Sequence, residues 1–179
     1  MSTVKRSERE VLKKIMALDL GPIKVKLLHN EDGESWTLEK VSEVEVGYRQ
    51  FLYLNYKYPE REIVPTKPID QFWHQHILDT RKYAEDCDQV FGHFLHHFPY
   101  FGLRGNKDAE NLRDAFAETK EFYAKEFGVG LHIASEQSCS ACGASSCGVA
   151  DCGSSECTGI SASSRINSSI RPNFADFVY

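Results

Sequence analysis

No run of about eighteen apolar residues, the length a membrane-spanning helix needs, occurs anywhere in the chain. Positive charge is in short supply as well: 21 Lys and Arg stand against 26 Asp and Glu, a formal net charge of −5. A phosphate backbone is gripped by a basic stripe, so nucleic acid is not an expected partner of the folded body. The start, MSTVKRSEREVLKK, has basic residues with no apolar segment behind them, which argues against a secretory signal. HExxH, a Gly-rich phosphate loop and a Ser-His-Asp order are all missing, so zinc-protease, kinase and hydrolase readings have no handle and no nucleotide cofactor is expected. Cysteine is scarce until late: Cys87 stands alone, and Cys139, Cys142, Cys147, Cys152 and Cys157 crowd the end. Without a signal sequence those thiols are expected reduced, in a cytoplasmic setting, where clustered cysteine points to metal or modification chemistry rather than disulfides.

What is present reads as helix. Ser7 with Glu10 three residues on forms a capping box, and Val11, Ile15 and Leu18 follow at helical spacing until Gly21-Pro22. Ile23 to Leu28, IKVKLL, alternates with lysine and suits either a short strand or another helical turn. NEDGE is a turn, and Thr37 then caps a long helix to about Lys57 whose inward stripe includes Val41, Tyr48 and Leu52. Its aromatic girth, with Phe51, Tyr53, Tyr56 and Tyr58, suits a helix buried on more than one side. A last helix is expected from Asp108 to Phe127, closed by Gly128.

Between these lies the chemically loaded stretch, Ile69 to Gly102, with five of the seven histidines. Thr66 and Pro68 mark its helical start. At about 100° per residue, Ile69, Trp73, His76, Thr80, Tyr83, Cys87 and Phe91 share one broad face, so His76 points into the core. Asp70 and His74 lie one turn apart at the edge of that face. Gly92 interrupts the helix, and a shorter one is expected to carry His93 and His97, four apart, with His96 beside them, until Pro99.

Imidazole presents a nitrogen lone pair at cellular pH, and paired histidines with a carboxylate are what a divalent transition metal uses. The candidate ligands are therefore His74, His76, His93 and His97, with Asp70 or Asp79 completing the set or holding an imidazole through its other N–H. The bland counterpart is a core His76 bonded to Tyr83, Thr80 or a carbonyl, with Asp70 a first-turn carboxylate and Asp79 part of an exposed ion pair. Cys87, on the inner face, reads as an inert buried thiol.

Past His132 the composition turns to Ser, Gly, Cys and Ala and the apolar period is lost, as in segments that do not fold alone. The spacing Cys139-x2-Cys142-x4-Cys147-x4-Cys152 imitates a zinc knuckle with cysteine in place of histidine, without the aromatic and basic residues that grip RNA. A thiol-rich segment modified after translation, or a tail that contacts a protein partner, fits equally.

The motifs FWHQHILDT, YAEDC and FGHFLHHFPYFG, with IVPTKPID upstream, resemble the glycine-rich domain-containing protein-like family over Leu12 to Phe127. That resemblance favours helix for Ile23 to Leu28 and implies links to plant development and stress responses, without a mechanism. The Ser- and Cys-rich tail departs from the long glycine-rich extension of such proteins.

The expectation is an all-α protein: a compact bundle of four to five helices over residues 1–130 and a disordered Cys/Ser/Gly-rich tail over 131–179. Two functions compete. One is a metal-binding helical protein, holding zinc, iron or copper and acting as a metal-dependent enzyme; the other is a non-enzymatic interaction module with structural histidines.

Overall fold

The structure, a computed structural model, describes residues 7–29 and 35–128. The Cys-rich tail, with Cys139, Cys142, Cys147 and Cys152, lies outside the described residues, as does the expected disorder there. Among the described residues there are six helices and no strand, so the all-α expectation holds while the count of four to five does not.

α1 (Glu8–Ala17) begins with the capping box: the Ser7 hydroxyl accepts from the Glu10 amide at 3.3 Å, and the Glu10 carboxylate accepts from the Ser7 amide at 3.0 Å. α2 (Gly21–Leu28) settles the IKVKLL segment as helix. A strand would place Ile23, Val25 and Leu27 on one face. Here Ile23 and Leu27 are buried and Val25 is 56% exposed, the pattern of an i,i+4 stripe.

α3 (Leu38–Lys57) is the axis of the fold, packed against α1, α2, α4 and α6 (α4 Lys67–Leu78, α6 Asn106–Phe127). Val41, Val44, Tyr48, Phe51, Leu52 and Leu54 are all buried, which is why its aromatic content exceeds a surface helix's. Arg49 joins α3 to the end of α1. Its guanidinium donates to the carbonyls of Ile15 and Leu18, the latter at 3.0 Å, and to the Glu45 carboxylate at 2.7 Å, which Lys24 also contacts at 2.7 Å. A side chain thus reaches the carbonyls at the C-terminus of α1, that of Ile15 in addition to its bond from the Leu18 amide. Arg49→Ala removes charge-assisted bonds at a half-buried site and is expected to cost about 2 kcal/mol, read as a lower urea midpoint at unchanged slope.

The single long helix expected over the histidine-rich stretch is two. α4 ends at Leu78, Asp79 leaves helical geometry with ψ 71°, and α5 (Thr80–Val90) starts at the next residue. Two bonds show why the break matters. Trp73 Nε1 donates to Tyr83 Oη at 2.8 Å, and His76 Nε2 donates to Asp86 Oδ2 at 3.0 Å. Each pair is ten residues apart in sequence, a separation that a straight helix would stretch to about 15 Å. The chain therefore folds back on itself at Asp79, and residues from both arms face one another. Thr66 precedes α4 as expected but its side chain caps nothing, and its hydroxyl oxygen is buried without a hydrogen-bond partner.

After α5 there is no shorter helix: residues 92–98 run without helical turns. The chain then closes onto α6 through Gly102, whose φ of +91° suits glycine, and a Cβ there would lie 2.5 Å from the Leu112 Cδ2. The Asp108 carboxylate, in the first turn of α6, accepts from the Gly102 amide at 2.7 Å and from the Arg104 guanidinium at 2.7 Å. Those bonds hold it ionised below the usual carboxylate range, against its burial. No helix among the described residues is long and apolar enough to cross a membrane.

Candidate metal centre

α4 carries polar residues on two faces. Ile69, Phe72, Trp73 and His76 are buried, while Asp70 and His74, one turn apart, sit at its solvent edge. The non-helical segment after α5 brings His97 to them. Among the described residues this is one set of His, Cys, Asp and Glu side chains whose donor atoms converge closely enough to hold a cation. His74 Nε2 and His97 Nε2 are 3.1 Å apart, His97 Nε2 is 3.1 Å from Asp70 Oδ1, and His74 Nε2 is 3.4 Å from Asp70 Oδ2.

These separations have a chemical meaning. A tetrahedral ion with bonds of about 2.0–2.1 Å sets its ligand atoms about 3.3 Å apart. The imidazole–imidazole distance and the two imidazole–carboxylate distances, which reach different oxygens of Asp70, fall around that value. A neutral imidazole with its proton on Nε2 donates to Asp70, whereas one with its proton on Nδ1 aims an Nε2 lone pair at the space between the three side chains, where a cation can take it. His97 is the least exposed of the three, its side chain at 18% against 48% for His74, and its ring packs on the Trp73 indole at 4.6 Å between centroids.

The other candidates lie elsewhere. His76 is buried and tied on both sides, with Nδ1 2.8 Å from the Tyr48 hydroxyl and Nε2 3.0 Å from Asp86, which Lys82 also reaches at 2.8 Å. Burial pushes the His76 imidazole toward its neutral form, with the Asp86 charge opposing. Its inward direction matches the helical reading; its partners are Tyr48 and Asp86 rather than Tyr83, Thr80 or a carbonyl. His93 is exposed against the Phe91 ring at 5.8 Å. On a helix it would have stood one turn from His97, but residues 92–98 have no helical turns and that spacing is lost. Asp79 occupies the exposed α4–α5 junction, and His96 is exposed beside Phe94. Cys87 is buried and burial raises its thiol above the ordinary range, away from a nucleophilic thiolate.

Trp73, whose ring supports His97, carries only a core assignment in the sequence, and Tyr83 reads there as a core residue and an alternative partner of His76 rather than as the donor to the Leu95 carbonyl. Nothing in spacing signals a bond between residues on opposite sides of an unanticipated fold-back.

The fold and this surface group define an all-helical domain with an exposed two-histidine, one-carboxylate cluster. The chain belongs to the UCP032817-like family, whose model matches residues 13–126, from within α1 to the end of α6. That match replaces the resemblance to the glycine-rich domain-containing protein-like family, since the family shown is a different one. No curated protein and no solved structure matches the chain.

Proposed function

We propose that the protein binds a divalent transition metal through Asp70, His74 and His97. The observation that carries this reading is that His74 Nε2 and His97 Nε2, 3.1 Å apart and from two separate segments, both meet the Asp70 carboxylate, His97 at 3.1 Å from Oδ1 and His74 at 3.4 Å from Oδ2. Two imidazoles and a carboxylate suit zinc, copper or iron, and zinc is the natural first probe. Three protein donors at a solvent-facing position leave a coordination place for water or a substrate oxygen, which is the arrangement of metal sites that act on a ligand rather than of closed structural ones. A metal held so supplies Lewis acidity and lowers the pKa of bound water. The chain's own part is to aim three lone pairs and to keep one flank dry with the Trp73 indole.

A thiol is itself a zinc-binding group, so the test uses the full chain with Cys139, Cys142, Cys147, Cys152 and Cys157 changed to Ser. This protein is expected to retain about one equivalent of zinc after dialysis, and adding His74→Ala with His97→Ala is expected to weaken binding at least ~100-fold. The far-ultraviolet dichroism should stay unchanged, because neither ring is in the core. Stoichiometric zinc unaffected by the two histidine changes, or no stoichiometric zinc in the thiol-free chain, overturns the reading.

A further inference from the structure

We infer that Tyr83, acting with Trp73, is the positioning residue that sets His97 in the metal centre. This rests on the metal-binding reading above and adds what decides whether the three donors meet. Asp70 and His74 need no outside help, since the helical turn of α4 spaces them. His97 has no helix beneath it. Its place is determined by whatever holds residues 92–98.

The anchor is Leu95. The Tyr83 hydroxyl donates to the Leu95 carbonyl at 2.6 Å while accepting the Trp73 indole N–H at 2.8 Å. The carbonyl of this loop residue is thereby fixed to α5, and through Tyr83 to α4. Leu95 stands two residues before His97, so fixing its carbonyl limits where the His97 ring can lie, and that ring lies against α4. There its ring meets the Trp73 indole at 4.6 Å, with Nε2 turned to His74 at 3.1 Å. Trp73 thus touches both ends of the device, bonding to Tyr83 through its N–H and supporting His97 on its ring. The single hydroxyl of Tyr83 ties α4, α5 and the loop to one geometry.

A merely structural Tyr83 would influence stability alone, and the experiment separates the two roles. Zinc affinity is measured by chelator competition in the full chain with the five tail thiols changed to Ser, at a temperature where every variant is folded in its metal-free form. Tyr83→Phe keeps the ring and deletes the hydroxyl. Tyr123→Phe is the control, since its hydroxyl also donates to a main-chain carbonyl, that of Gly47 at 3.1 Å, on the α3–α6 contact. Tyr83→Phe is expected to weaken zinc binding ~10–100-fold, the range for residues that orient metal ligands, and to alter the visible spectrum of the cobalt-substituted site. Tyr123→Phe is expected to leave affinity and spectrum within about twofold of the parent. Unchanged affinity and spectrum in Tyr83→Phe, or equal losses in both variants, overturn the positioning role and leave the metal site standing. A parent that binds no stoichiometric zinc overturns the metal-binding reading and this inference with it.

Discussion

Replacing His76 with Ala is expected to destabilise the protein by about 3 kcal/mol at pH 7.5, a large fraction of the ~5–15 kcal/mol by which domains are typically stable. His76 is 1% exposed and stands between the buried Tyr48 hydroxyl and the Asp86 carboxylate. Without the imidazole, Tyr48 loses its acceptor and Asp86 keeps only Lys82, while a void opens beside the Tyr83 ring, which packs edge-on at 5.0 Å. The same residue makes stability depend on pH. Its folded-state pKa lies below the ordinary 6.5, so the unfolded chain takes up the proton first. Between the two values the unfolded state binds more protons, and stability falls as pH drops below about 6.5. On protonation the Tyr48 hydroxyl would also have to give up Nδ1 as acceptor. Urea unfolding from pH 7.5 to 5 should show this slope in the parent and a shallower one in His76→Gln; equal slopes would sink the assignment.

Phe72→Ala is expected to cost about 3–5 kcal/mol, because a fully buried ring is removed where α4 crosses α3. Its ring lies 5.0 Å from that of Tyr48, and Phe51 and Trp73 meet at 4.9 Å beside it, so the cavity is bounded by rigid aromatics that do not close over it readily. Leu78→Ala, on the same helix but 71% exposed, is expected to change stability by less than about 0.5 kcal/mol. Phe72 points away from Asp70 and His74, two residues to either side on the helix. Zinc affinity of the folded Phe72→Ala protein should therefore match the parent, and a parallel loss of stability and affinity would show that the metal centre depends on the α3–α4 core.

How far the sequence exposes this molecule depends on whether a feature is local. The starts of α1 and α3 are written in Ser7 and Thr37, whose hydroxyls accept from amides three residues on, and in Glu10, whose carboxylate accepts from the Ser7 amide. Gly128, in left-handed geometry, ends α6 where its residue type says it should. α2 was ambiguous because lysines at every second position imitate a strand, and only the exposure of Val25 separates the two periods. The break at Asp79 has no proline or glycine to announce it; tertiary bonds across the fold-back stabilise it instead. The same blindness affects the site. Asp70 and His74 were readable as a helical pair, and His76 as inward-facing, because one helix suffices for both deductions. The pairing of His93 with His97 assumes a helix where the chain has no helical turns, and the true meeting of His97 with α4 is a long-range contact that no local pattern encodes.

The fold-back at Asp79 also bears on how the molecule assembles. Trp73 and His76 find Tyr83 and Asp86 only ten residues downstream, and a loop that short closes in about 10–100 ns. The bond that secures α6 to α3, from Tyr123 to Gly47, must bring together groups 76 residues apart, at a greater loss of chain entropy. The hairpin that supports His97 is thus poised to nucleate early, leaving attachment of the final helix as the slower search.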